Sequence, residues 1–127
     1  MADECVRTGG HHMIAVIFEV WPKDGHRTAY LERAAALKDH LADIPGFISV
    51  ERYESLMEPG KLLSLSFWED EAALAHWRKL PAHRGAQSAG RDLHFDTYRL
   101  RVAGVIRDYG MHDREQAPAD SRALHDQ

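Results

Sequence analysis

The hydrophobic positions of this chain change period several times, and each change marks an element. From Met13 to Trp21 (MIAVIFEVW), Ile14, Val16, Phe18 and Val20 point to one side of an extended strand and Ala15, Ile17, Glu19 and Trp21 to the other. A strand with one wet face would carry polar residues at alternate positions. Both sets here are largely apolar, which predicts a sheet covered on both faces. Pro22 ends the strand. After a turn at Lys23-Asp24-Gly25-His26 the period becomes helical. Tyr30, Ala34, Leu37 and Leu41 form one stripe on a helix reaching about Asp43, and Ile44-Pro45-Gly46 stops it.

Strand patterns return at Phe47–Glu54 and Leu62–Trp68, with a hairpin turn at Pro59-Gly60 between them. In the third strand Leu63, Leu65 and Phe67 share one face, and Leu62, Ser64, Ser66 and Trp68 the other. Glu69-Asp70-Glu71 suits a helix N-terminus, and that helix runs to about Lys79. Pro81 disfavours helical geometry at Leu80 and lacks an N–H, so it interrupts the helix. Proline is accepted at a first helical position, which predicts a second short helix from Pro81 to about Ala89. The last strand is predicted over Phe95–Tyr109. Its phase slips after Val102, which predicts a glycine-assisted bulge at Ala103-Gly104.

The order β-α-β-β-α-β predicts an α+β, ferredoxin-like fold: a four-stranded antiparallel sheet with its helices on one face. The second apolar face then requires a cover, and a homodimer packed through the open sheet face is the simplest one. Residues 1–12 read as a flexible N-terminal extension and 13–110 as the domain. Residues 111–127 read as a polar C-terminal tail, or an arm lying on a partner subunit.

Composition narrows the partners. A chain of 127 residues fits one domain. A net charge of -4 argues against nucleic-acid and membrane-surface binding, both of which need a basic patch. There is no apolar run of about 18 residues and no apolar signal core near the first residue. Cys5 is the single cysteine, so no internal disulfide forms, in keeping with a cytoplasmic location. The nine histidines lack the spacing of a metal site, and no metal is expected.

Candidate chemistry gathers in Phe67–Arg91 (FWEDEAALAHWRKLPAHRGAQSAGR). Trp77 follows Leu74 by three residues and Ala73 by four, on an inward stripe, where it either fills the core or walls a pocket. His76 falls about 100° round the helix, towards solvent. His83 and Gln87 share one face of the short helix, as surface residues or as a proton donor–acceptor and its polar neighbour. Arg84 and Arg91 suit a carboxylate, phenolate or phosphate. No nucleophile elbow, phosphate loop or dinucleotide fingerprint is present.

Four segments, MIAVIFEVWPKDG, IPGFISVERYES, LSFWEDEAALAHWRKLPAHRGAQSAGR and YRLRVAGVIRDY, make residues 13–109 resemble the antibiotic biosynthesis monooxygenase family. The resemblance implies a dimeric α+β barrel whose pocket lies between sheet and helices. It implies oxygenation of a small aromatic substrate (phenol, quinol or polyketide-like) by molecular oxygen, with no cofactor. For such chemistry the segment Phe67–Arg91 offers His83 as catalytic base and Trp68, Trp77, Gln87 and Arg91 as substrate-binding residues, with Phe18 of the first strand beside them. A non-catalytic ligand-binding or stress-response dimer is the alternative. A haem-degrading branch of the same superfamily would place an asparagine at Phe18, a tryptophan at Trp77 and a haem-ligating histidine at Gln87. Only the tryptophan matches.

Overall fold

The computed structural model of the chain describes residues 12–80, Arg84 and residues 94–125. Its elements are β1 (Ile14–Pro22), α1 (Arg27–Ala42), β2 (Phe47–Glu54), β3 (Leu62–Trp68), α2 (Glu71–Lys79), β4 (Phe95–Gly104) and α3 (Ala119–His125). The strands form one antiparallel sheet in the order β2-β3-β1-β4. This is the ferredoxin-like arrangement, with α1 and α2 on one face. No helix among the described residues is long and apolar enough to cross a membrane.

Local chemistry sets the element ends. The Asp70 carboxylate caps α2 by accepting the Ala73 N–H at 2.9 Å. Leu80, directly before Pro81, takes extended geometry (φ -66°, ψ 135°) and closes the helix, as proline demands of its predecessor. Between α1 and β2 the chain turns on Gly46 at φ 92°. Its carbonyl accepts the Glu69 N–H at 2.7 Å, and a β-carbon there would lie 2.7 Å from that of Ala73. Glycine is therefore required twice at this position, for its backbone angle and for the close approach of α2.

The C-terminal strand departs from expectation. β4 ends at Gly104 instead of running to Tyr109. Ala103 and Gly104 pair in register with Ala15 and Ile14, so no bulge occurs there. The hydrophobic phase slips because the strand has run past the start of β1. The Val105 N–H still reaches the Met13 carbonyl, and the chain then leaves the sheet. The register shift lies at the other end, between Trp21 and Pro22, where Asp96 is the extra residue opposite a proline that has no N–H to offer. Beyond Gly104 the polar segment folds back on itself. Arg114 donates to the Gly110 carbonyl and to the Ser121 hydroxyl of α3, and the Gln116 side chain accepts the Asp108 N–H.

Packing on the helix-covered face is concentrated at the two ends of the sheet. One cluster joins Ile14, Leu41, Ile44, Trp68, Ala73 and Leu74. The other joins Val20, Tyr30 and Leu62. The opposite face mixes apolar and charged residues. Leu63, Leu65 and Phe67 are half-buried there. Glu19 bridges Lys61 at 2.9 Å and Arg101 at 2.8 Å, and these two cations hold its carboxyl below the ordinary range.

Candidate active site

The gap between the two packing clusters is a cavity of about 240 Å³. Its floor consists of two complete rows of the sheet. Arg52, Ser64, Phe18 and Leu100 lie side by side in one row, and Val50, Ser66, Val16 and Val102 in the next. The flanking rows carry large residues on β3, Leu62 at one end and Trp68 at the other. The middle rows carry Ser64 and Ser66. Two hydroxymethyl groups in place of two leucine-sized side chains leave the space open, because the helices cannot collapse onto a sheet held apart at both ends.

Helices α1 and α2 roof the cavity with Ala34, Leu37 and Leu41 from the first and Leu74 and Trp77 from the second. An aromatic group closes the β4 side. Phe18 packs against Phe95 at 5.9 Å and Tyr98 at 5.6 Å between ring centres, and Phe95 meets the edge of Tyr30 at 5.5 Å. The tilted and edge-on angles are those that aromatic rings prefer. The volume lies below the roughly 300–1,000 Å³ typical of drug-sized sites and leaves room for nothing larger than a small molecule.

Polar groups on this apolar wall are few. His94, just before β4, lines the cavity, and its Nδ1 lies 3.0 Å from Nδ1 of His26 at the N-terminus of α1. The two segments are tied a second time, where the Lys23 N–H donates to the His94 carbonyl at 2.7 Å. Arg52 lies beside the Tyr30 hydroxyl. Burial pushes the Tyr30 phenol up, and the Arg52 guanidinium offsets part of that rise. Arg33 and Arg78 stand at the exposed rim.

The predicted site residues divide into two groups. Phe18, Trp68 and Trp77 all border the cavity. Trp68 is 1% exposed, and its indole N–H is taken by the Ser66 hydroxyl at 2.9 Å, so it acts as an end wall of the core. Trp77 is half-buried, 6.4 Å from Trp68 between ring centres. His76 is exposed, as its helical angle implies. His83, Gln87 and Arg91 lie outside the described residues, together with most of the predicted short helix. Arg84 alone of residues 81–93 is described; its N–H donates to the Leu80 carbonyl, one helical turn back.

Sequence reasoning missed the His26–His94 pair and Arg52. The histidines are 68 positions apart and meet only because β1 and β4 are neighbours. Arg52 had a readable signal, since it interrupts the apolar alternation on the helix-facing side of β2. Among the described residues no three histidine, cysteine or acidic side chains gather as a metal site would require.

Comparison with known proteins agrees with this architecture. Residues 13–89 match the antibiotic biosynthesis monooxygenase family. A jasmonate monooxygenase from Pyricularia oryzae is 48% identical over 93 residues, covering 73% of this chain and 43% of its own length. The chain therefore spans less than half of that relative. An uncharacterised protein from Bacillus subtilis is 34% identical over 107 residues, covering 84% of this chain and 91% of that protein. Among solved structures, SnoaB, a cofactor-independent oxygenase from Streptomyces nogalater, superposes with a TM-score of 0.67 at 14% identity, covering 76% of this chain and 96% of its own. The Mycobacterium tuberculosis protein Rv0793 gives 0.69 at 20% identity, with 77% and 99% covered. At such identities the structural likeness speaks for the fold, while the match over residues 13–89 and the 34% relative, nearly all of whose length is spanned, establish that this chain belongs to the antibiotic biosynthesis monooxygenase family.

Proposed function

We propose that this protein is a cofactor-independent monooxygenase, acting as a cytoplasmic homodimer on a small cyclic substrate held between sheet and helices. The observation that carries the reading is His94 on the wall of a largely apolar cavity, with His26 behind it at hydrogen-bond distance. A reaction that begins with loss of a substrate proton needs a base in a dry site and a way to hold the charge that follows. When His94 donates through Nδ1 to His26, its Nε2 keeps a lone pair and can take a proton from the substrate. The imidazolium that forms stays hydrogen-bonded to His26.

The deprotonated substrate then supplies the electrons for oxygen. An activated methylene becomes a carbonyl: both of its C–H bonds break and a carbon–oxygen double bond forms. One atom of molecular oxygen enters the product, and the other leaves as water with the two hydrogens. The substrate carbon is oxidised, dioxygen is reduced, and no external reductant enters the balance. Phe18 and Trp77 flank the substrate ring. A polyketide-like aromatic with such a methylene fits this chemistry, a phenol or quinol balances in the same way with ring C–H and O–H hydrogens leaving in the water, and the jasmonate monooxygenase relative extends the class to other small rings. His83 is the second candidate base, and Gln87 and Arg91 are further polar anchors. Haem is the weaker alternative. The place of its asparagine is Phe18, which is packed against Phe95 and Tyr98 and presents no polar group.

Oxygen uptake with a panel of quinols and anthrone-like substrates tests the reading. Turnover that falls in His94→Asn, with His83→Asn as the parallel variant, supports it. Stoichiometric ligand binding without any oxygen consumption would instead identify a non-catalytic binding protein.

A further inference from the structure

We infer that Arg52 anchors an anionic head group, and that the cavity takes a small organic acid: an apolar body ending in one carboxylate. This inference rests on reading the cavity as the substrate site, and it specifies the substrate class.

Arg52 sits on the floor of the cavity, opposite Ser64 of β3, with its side chain on the helix-covered face. Its Nε is shielded from solvent and has no hydrogen-bond partner. An unmet donor on a largely shielded cation is costly, even though the same guanidinium also reaches the Tyr30 hydroxyl. The neighbouring carboxylates on β2 do not serve it. Glu51 lies on the opposite face of the sheet, and Glu54 is held by Arg27 at 3.4 Å. The Tyr30 hydroxyl beside Arg52 is neutral.

The charge of the whole lining points the same way. The described wall carries three guanidinium groups, those of Arg33, Arg52 and Arg78, and no acidic side chain. Arg33 and Arg78 are exposed at the rim, where they attract an anion without holding it. Arg52 lies further in, where lower polarity strengthens the contact. A guanidinium presents its two terminal Nη groups as a fork that matches the two oxygens of a carboxylate. The rest of the cavity, from Phe18 to Trp77, is apolar and receives the body of the molecule.

Calorimetric titration of the full chain with matched acids and esters tests this directly. The probes are jasmonic acid against methyl jasmonate, and 4-phenylbutanoic acid against its methyl ester, at pH 7.5. At least one acid is expected to bind about 10–100-fold more tightly than its ester, the range of a charge-assisted hydrogen bond. In Arg52→Met that preference disappears while ester affinity changes less than about 3-fold, and Arg52→Lys keeps part of it. Equal binding of acid and ester in both pairs, including no binding by either, overturns the inference without any variant. So does a preference that survives in Arg52→Met. The two readings fail separately: acid preference lost in Arg52→Met without oxygen uptake leaves the anion site standing, whereas uptake with an acid substrate that Arg52→Met does not alter removes the anchor and leaves the oxygenase.

Discussion

The Nδ1 atoms of His26 and His94 lie 3.0 Å apart, across the junction of α1 with β4. At that distance one nitrogen carries the proton and the other accepts it, so the tautomers of the two rings are coupled. His94→Asn is expected to lower turnover by about 10²–10⁴-fold, the usual worth of a general base. His26→Ala leaves the base in place without its partner and is expected to cost less. Oxygen uptake under saturating substrate separates the two. Equal, complete loss in both, with an altered circular dichroism spectrum, would show the pair to be structural.

Replacing Ser64 by leucine fills the cavity from its floor. Ligand binding, followed by quenching of Trp77 and Trp68 fluorescence, is expected to fall at least 10-fold. Thermal stability should change little or rise, because the added side chain enters existing space instead of an already packed core. A large drop in melting temperature would mean that the cavity closes in solution.

The two tryptophans beside the cavity should respond differently. Trp68 is 1% exposed and joined to Phe47, Trp77 and Ser66, so Trp68→Ala is expected to cost about 3–5 kcal/mol in urea unfolding. Trp77 is half-buried at the wall. Trp77→Phe should keep most of the stability and weaken substrate binding.

Burial raises the Tyr30 phenol above its ordinary value of 10.0. The native state therefore keeps a proton that the unfolded chain has already released. Stability from this group is complete below about pH 10 and is lost as pH rises towards the folded value. The slope is at most about 1.4 kcal/mol per pH unit. Tyr30→Phe is expected to flatten this alkaline decline in denaturant titrations between pH 9 and 11, and an unchanged slope would contradict it.

Gly25 and Gly46 both have positive φ, but only Gly46 is crowded. Gly25→Ala should cost about 1–2 kcal/mol from backbone strain alone. Gly46→Ala adds a β-carbon 2.7 Å from that of Ala73 and should cost clearly more, with α2 displaced. Paired urea melts of the two variants make the comparison.

Most of the fold was legible in the sequence because it follows from alternation. The phase of Val16, Phe18, Ser64 and Ser66 assigned them to one face, and Leu80-Pro81 marked the end of α2. The end of β4 was not legible. Val105, Arg107 and Tyr109 still alternate, and only the position of Ile14 on a neighbouring strand stops the pairing. Phe18, Trp68 and Trp77, which border the cavity of the candidate site, were legible as aromatic residues on inward-facing stripes. Its polar groups were not, because the approach of His26 to His94 depends on tertiary contact between distant segments.

The two serines on β3 have a consequence for how such proteins diversify. Exchanging either for alanine, valine or leucine leaves the in–out alternation of the strand unchanged, so the fold and its recognisable pattern persist. The same exchange alters the room available to a ligand by the volume of several carbon atoms. Substrate range in this scaffold can thus drift one residue at a time while every feature that identifies the family stays fixed.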